Sequence, residues 1–116
     1  MEFTIELYLS SSGASPVRQF LDEYEAADPI HYKALTEKVE KLKDGRLHRE
    51  PLTKSLGDGL MELRQTGRLN TRVLWFFQKG RRIILVHGIR HKAQKIPKSD
   101  LDITRSRMKD WIKRSA

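Results

Sequence analysis

Two runs, TRVLWFFQ (71–78) and RRIILVHG (81–88), are the most β-like stretches of this 116-residue chain, and Lys79–Gly80 joins them. β-branched and aromatic residues on both sides of a short Gly-containing turn make a tight hairpin. In the first run Arg72, Leu74, Phe76 and Gln78 share one face, and Val73, Trp75 and Phe77 share the other. Both faces are apolar, so this strand is central in its sheet, with Arg72 near its entrance. Core packing is the expectation for Trp75 and Phe77, and Phe76 or Leu74 is placed on the floor of an open face.

The remaining segments build around that hairpin. Phe3, Ile5, Leu7 and Leu9 alternate with polar residues, which predicts a half-buried strand. Ser15–Pro16 is an N-cap and first-turn pair, and Val17, Phe20, Leu21 and Tyr24 follow at helical spacing to about Ala27. Asp28–Pro29 repeats the start signal for a second helix striped by Leu35, Val39 and Leu42 and stopped by Gly45. Residues 46–59 lack a clear period and read as a long basic loop with room for a helical turn. Leu60–Gln65 is a strand, with Met61 and Leu63 on one face and Glu62 and Arg64 on the other, open face or its rim. Gly88 marks the end of the last strand or a bulge. Ser99 and Asp102 form a capping box for a C-terminal helix lined by Leu101, Met108, Trp111 and Ile112. The order is β-α-α-β-β-β-α. This is a single α+β domain over 1–116, an antiparallel sheet with a helical hairpin and a C-terminal helix packed on one sheet face.

Charge is distributed unevenly over this scaffold. Residues 1–45 carry 5 Lys/Arg and 9 Asp/Glu, net −4, and residues 46–116 carry 18 and 6, net +12. From Leu63 to Ser99 there is no acidic residue in 37 positions, against ten Lys or Arg and two His. A sheet with only positive loops and edges meets polyanions, nucleic acid first among them. The chain has no Cys, which excludes thiol catalysis, disulfides and Cys-based zinc sites. The N-terminus reads as a strand and not a signal peptide, and no apolar run approaches the ~20 residues of a membrane helix. A cytoplasmic protein with no membrane association is the expectation.

Two places suit chemistry on RNA. If Arg64 and Arg72 lie across neighbouring strands, they can grip one phosphate from two sides, because a guanidinium fork donates bidentately. A surface position with a cross-strand salt bridge to Glu62 is the alternative for both arginines, with phosphate the preferred reading for Arg72. The segment HGIRHKAQKIPK (87–98) packs His87, Arg90, His91, Lys92, Lys95 and Lys98 into twelve residues. Cutting RNA without a metal requires deprotonating a 2′-OH, stabilising a phosphorane and protonating the leaving 5′-oxygen. His shuttles protons near neutral pH, a Lys crowded by cations can share that work, and Arg supplies fixed charge. The catalytic candidates are Arg72, His91, Lys92 and Lys95. Lys54, Arg64, Arg68, Arg90 and Lys98 are RNA-binding candidates. His87 and His91 have the spacing of a helical metal pair, but Gly88 and the strand exit argue against a helix, so no metal and no cofactor are expected. With acids absent from the window, Glu62 is the nearest carboxylate alternative for proton transfer. On this assignment Arg72→Ala loses ~2–4 kcal/mol of transition-state stabilisation and leaves the fold intact.

Several stretches together resemble the RelE/ParE superfamily of toxins from toxin–antitoxin pairs, in its HigB-like, phage-related branch. They are SPVRQFLDEY, KVEKLKDG, LGDGLMELR, TRVLWFF and IILVHGIRHKAQKIP, followed by a basic helix. The most specific is a strand ending in His87–Gly88 followed by Lys92, Gln94, Lys95 and Pro97. The resemblance implies a RelE-like fold and a metal-independent endoribonuclease. Such an enzyme cuts mRNA in the ribosomal A site, leaving 2′,3′-cyclic phosphate and 5′-OH ends, and so inhibits translation. It also implies a cognate antitoxin, typically a helix-turn-helix DNA-binding protein. By position, Arg64, Arg72, His91, Lys92 and Lys95 become the site. This chain has Ile89 where such proteins usually show Phe, and His91 where they often show Lys. It also has no Tyr after the last strand, an element RelE-like members often use, so His91 is the first choice of general base. Two alternatives remain open: a non-catalytic ParE-like inhibitor of DNA gyrase, and a plain nucleic-acid-binding module.

Overall fold

The computed structural model describes residues 2–67, 69–91 and 94–115. Helix α1 (Pro16–Ala27) starts where Ser15 accepts a hydrogen bond from the Arg18 N–H (3.3 Å). Asp28 serves two helices at once. Its N–H donates to Tyr24 O to close α1, and its carboxylate caps α2 (Pro29–Lys41) through the His31 N–H (3.3 Å). Local capping therefore sets the tight reversal between the helices.

The sheet contains β1 (Thr4–Leu7), β2 (Thr53–Gly57), β3 (Leu60–Gln65), β4 (Asn70–Gln78) and β5 (Arg82–His91), in the spatial order β1-β5-β4-β3-β2. The α+β class stands, with two refinements. β1 runs parallel to β5, and every other pairing is antiparallel. The basic segment 46–59, expected as a loop, contains β2. A turn with both central residues at positive φ (Asp58 54°, Gly59 82°) folds β2 onto β3, the type I′ geometry that Asp-Gly favours. Thr53 fixes the start of β2, since its hydroxyl donates to Glu62 O (2.6 Å) and accepts from Trp75 Nε1 (3.1 Å).

Helices cover both faces of the sheet, not one. Val73, Trp75, Ile83 and Leu85 pack under α1 and α2 with Val17, Leu21 and Leu35. The alternate residues Phe76, Ile84 and Val86 pack with Tyr8 against Met108 and Trp111 of α3 (Lys98–Arg114). Phe76 is buried, and so is Leu74, which joins Leu60 and Ile89 beneath Leu56, Ile96 and Leu101. Phe77, expected in the core, lies at the sheet end and is 45 % exposed. No side chain caps α3. Pro97 occupies the N-cap position, so the Ser99–Asp102 capping box does not form. Among the described helices none is long and apolar enough to cross a membrane.

The register of β5 shifts once. Leu74 pairs with His87 and Trp75 with Leu85, which leaves Val86 as the extra residue of a bulge. β5 continues through Gly88 to His91. At Gly88 an added Cβ would lie 2.2 Å from Phe20 Cδ2, so the phenyl ring of α1 packs directly on the strand backbone.

Candidate nucleic-acid interface

On the α3 face, one end of the sheet opens into a cleft of about 260 Å³. Its floor is an ion pair that the strand register dictates. Glu62 stands opposite Leu74, and Arg64 stands opposite Arg72, so Glu62 and Arg72 are diagonal neighbours on one face. Arg72 Nε donates to Glu62 Oε1 (2.8 Å), and Arg72 Nη2 donates to Gln94 O (2.5 Å). Both side chains are almost fully buried, Arg72 at 1 % exposure and Glu62 at 3 %. Two half-exposed cations flank the same carboxylate, Arg64 Nη2 at 3.6 Å and Lys54 Nζ at 3.7 Å. These separations are too long for good hydrogen bonds.

The remaining lining comes from β2, from the segment before α3 and from α3 itself. Lys95 and Arg105 bring further positive charge, and Leu56, Ile96 and Leu101 form an apolar wall. Arg105 Nη1 also reaches Asp58 Oδ2 at 3.5 Å. Glu62 is the one carboxylate in the described lining, against Lys54, Arg64, Arg72, Lys95 and Arg105. A smaller adjoining pocket of about 120 Å³ shares Lys54, Glu62 and Arg64 and continues along Glu50–Thr53.

The structure thus brings together Arg72, Lys95, Lys54 and Arg64 of the sequence-derived set. Arg72 does so as a buried floor residue held by Glu62 and Gln94, not as an exposed fork. His91 pairs with Asn70 at the end of β5, and alternation puts it on the Arg72 face, but it is outside the cleft lining. Arg90 is on the opposite face, where it donates to Asp28 Oδ2 (3.2 Å) and lies 4.9 Å over the Tyr24 ring. Lys98 is exposed on the first turn of α3 and pairs with Asp102 at 3.1 Å. Lys92 and Arg68 lie outside the described residues.

Sequence reasoning missed Arg105 and the three aliphatic residues. It also missed the role of His87, which ties α3 to the sheet. Arg107 Nη1 donates to His87 Nδ1 (2.8 Å), and an arginine can only donate, so Nδ1 is the acceptor. The ring proton is then on Nε2, which donates to Asp100 Oδ1 (2.8 Å). Burial, aided by the Arg107 charge, holds the His87 pKa below its ordinary value, against the opposing pull of Asp100. Asp100 precedes Leu101, so this bond anchors the helix that walls the cleft. Among the described residues no group of three or more His, Asp or Glu is placed to hold a metal ion.

A search of curated proteins finds no match to the chain. Residues 22–109, which span the second half of α1 through most of α3 and include every described residue of the cleft, match the family model "Phage derived protein Gp49-like (DUF891)". The chain belongs to this phage-derived Gp49-like family, which is related to the RelE/HigB-type toxins.

Proposed function

We propose that this protein is the toxin of a toxin–antitoxin pair, an endoribonuclease that cuts mRNA on the ribosome without a metal and is restrained by a co-encoded antitoxin. The observation that carries the reading is the cleft floor: one buried carboxylate among cations, roofed by a basic segment. Phosphodiester cleavage by an internal 2′-OH needs a proton acceptor, fixed positive charge and a proton donor within one small volume.

The cleft offers each of these. Glu62 Oε2, on the Lys54 side of the carboxylate, accepts the 2′-OH proton. The 2′-oxygen then attacks phosphorus, and Arg64 and Lys54 neutralise the non-bridging oxygens of the phosphorane. The P–O5′ bond breaks, and Lys95 supplies the proton that the 5′-oxygen takes. The products are a 2′,3′-cyclic phosphate and a 5′-OH. Arg72 holds Glu62 in place and binds the Gln94 carbonyl in the segment before α3. In this scheme Arg72 is a positioning residue, and the proton-acceptor role assigned from sequence to His91 moves to Glu62. Lys92, outside the described residues, keeps its sequence-based role as an assisting cation.

Expression of the protein without an antitoxin, followed by primer extension on a reporter mRNA, tests the reading. Growth arrest with new 5′ ends inside coding sequence is the expected result. Unchanged growth with intact mRNA refutes it. Growth arrest with intact mRNA and inhibited supercoiling would instead point to a gyrase inhibitor.

A further inference from the structure

The cleft is built from two chemistries in sequence along the strands. On the α3 face, the outermost row is Arg64–Arg72, the next is Lys54–Glu62–Leu74, and the last is Leu60–Phe76, beside Leu56. Same-face rows follow one another at about 7 Å along a strand. Charge therefore gives way to aliphatic surface within two rows. The segment above repeats the order, since Lys95 is followed by Ile96 and then by Leu101 of α3. Leu56, Ile96 and Leu101 are each partly exposed, and they rest on the buried Leu60, Leu74 and Ile89, so the wall is firm and open to the cleft.

A site for a bare phosphate has no use for that wall. Ligand sites that orient a mixed molecule combine an apolar lining with a few convergent polar groups. A nucleotide presents the same order as the cleft: phosphate, then ribose, then a base with two apolar faces. The volume of about 260 Å³ is below the ~300–1,000 Å³ of drug-sized pockets, which suits one nucleotide rather than two.

We infer that the cleft takes a single nucleotide of RNA lengthwise, its phosphate between Arg64 and Lys54, its ribose over Glu62 and its base against Leu56, Ile96 and Leu101. This inference rests on the reading of the cleft as an RNA site and adds which part of the substrate each wall receives. Base contact with aliphatic side chains carries no hydrogen-bond code, so this wall favours a base over none and does not by itself choose among bases.

The 116-residue protein, with isotope-labelled Leu and Ile methyl groups, is titrated by NMR with inorganic phosphate, ribose 5-phosphate and the 5′-monophosphates of adenosine and uridine. Both nucleotides are expected to bind at least about tenfold tighter than ribose 5-phosphate, a gain of ~1.4 kcal/mol. They should shift the methyl signals of Leu56, Ile96 and Leu101. Ile96→Ser and Leu56→Ser should each shrink that advantage and leave the ribose 5-phosphate affinity unchanged, which also shows that the variants are folded. Equal affinity with and without a base overturns the inference, as does binding that leaves the three methyl signals in place or no binding at all. An acetylated Asp-Leu amide that binds as tightly as the nucleotides overturns it in favour of an acidic peptide. Ribosome-dependent cleavage by the same preparation separates the two proposals. Cleavage without base-dependent binding removes only the inference, and base-dependent binding without cleavage removes only the nuclease reading.

Discussion

Replacing Arg72 with Met tests whether the floor of the cleft is structural as well as functional. Arg72 and Glu62 are 1 % and 3 % exposed, so solvent screens almost nothing between them. Removing one partner of such a pair leaves a buried charge without its main counter-charge, a loss of about 3–5 kcal/mol. At ~2.1 cal/mol/K per residue, a chain of 116 residues has an unfolding entropy of about 0.24 kcal/mol/K, so the loss lowers Tm by ~12–20 °C. Lys54 and Arg64 remain near Glu62 and place Arg72→Met toward the low end of that range. The double variant Arg72→Met/Glu62→Leu removes both charges and should recover most of the loss. Urea unfolding followed by tryptophan fluorescence is a suitable assay, because Trp75 is wholly buried and bonded to Thr53 beside Glu62. A cost below about 1 kcal/mol for Arg72→Met, or a double variant no better than the sum of the single ones, would refute the reasoning. The sequence alone suggests that Arg72→Ala leaves the fold intact, and burial of the guanidinium reverses that expectation.

Other outcomes follow from the same geometry. Lys95→Ala at an exposed position and Arg64→Ala at a half-exposed one should lower cleavage with little change in Tm; a loss of ~2.7–4 kcal/mol in the transition state is the scale for one removed charge donor. Lys95→Ala should also flatten the salt dependence of RNA binding by roughly 0.7–0.9 in log–log slope, measured by titration at several salt concentrations. The folded pKa of His87 lies below its unfolded value of 6.5, so its contribution to stability is full above about pH 6.5 and is lost as pH falls through the folded pKa. Thermal melts between pH 7.5 and 5 should show this slope in the parent protein and a flatter one in His87→Gln. Gly88→Ala forces a methyl group into the Phe20 ring and should cost about 1–3 kcal/mol by urea unfolding, with partial recovery in the Phe20→Leu background.

What could be read from the sequence was whatever is decided locally. Ser15–Pro16 and Asp28–Pro29 start helices through bonds three residues long, and the sequence carries both ends of each. The alternation around Trp75 placed β4 at the centre of the sheet. β2 escaped because TKSLG has no period, although Asp58–Gly59 before an apolar run is a hairpin signal in its own right. Period-two patterning separates two faces without saying which helix covers which, so it does not reveal that α3 lies on the face opposite α1 and α2. The cleft was half legible. Its cations stood out as charge, but Glu62 and Arg72 meet through the register of two strands, and a lone Arg in a sequence does not say that it is buried. Arg90 was drawn away from the cleft by Asp28, 62 positions earlier, a contact with no sequence signature.

The extra residue in β5 works like a frameshift within a strand. Upstream of Val86 the even positions face α3, and downstream of it the odd positions do: His87, Ile89 and His91. One residue thus decides that His87 meets Asp100, that Gly88 is the residue beneath Phe20, and that Arg90 turns toward the acidic, helical half of the molecule. Deleting Val86 would exchange the two sets, directing Arg90 toward the cleft side and Ile89 into the space that only a glycine fits. The spacing between the core of β5 and the His87–Gly88 pair is thus a property under constraint in its own right, separate from the identity of any residue within it.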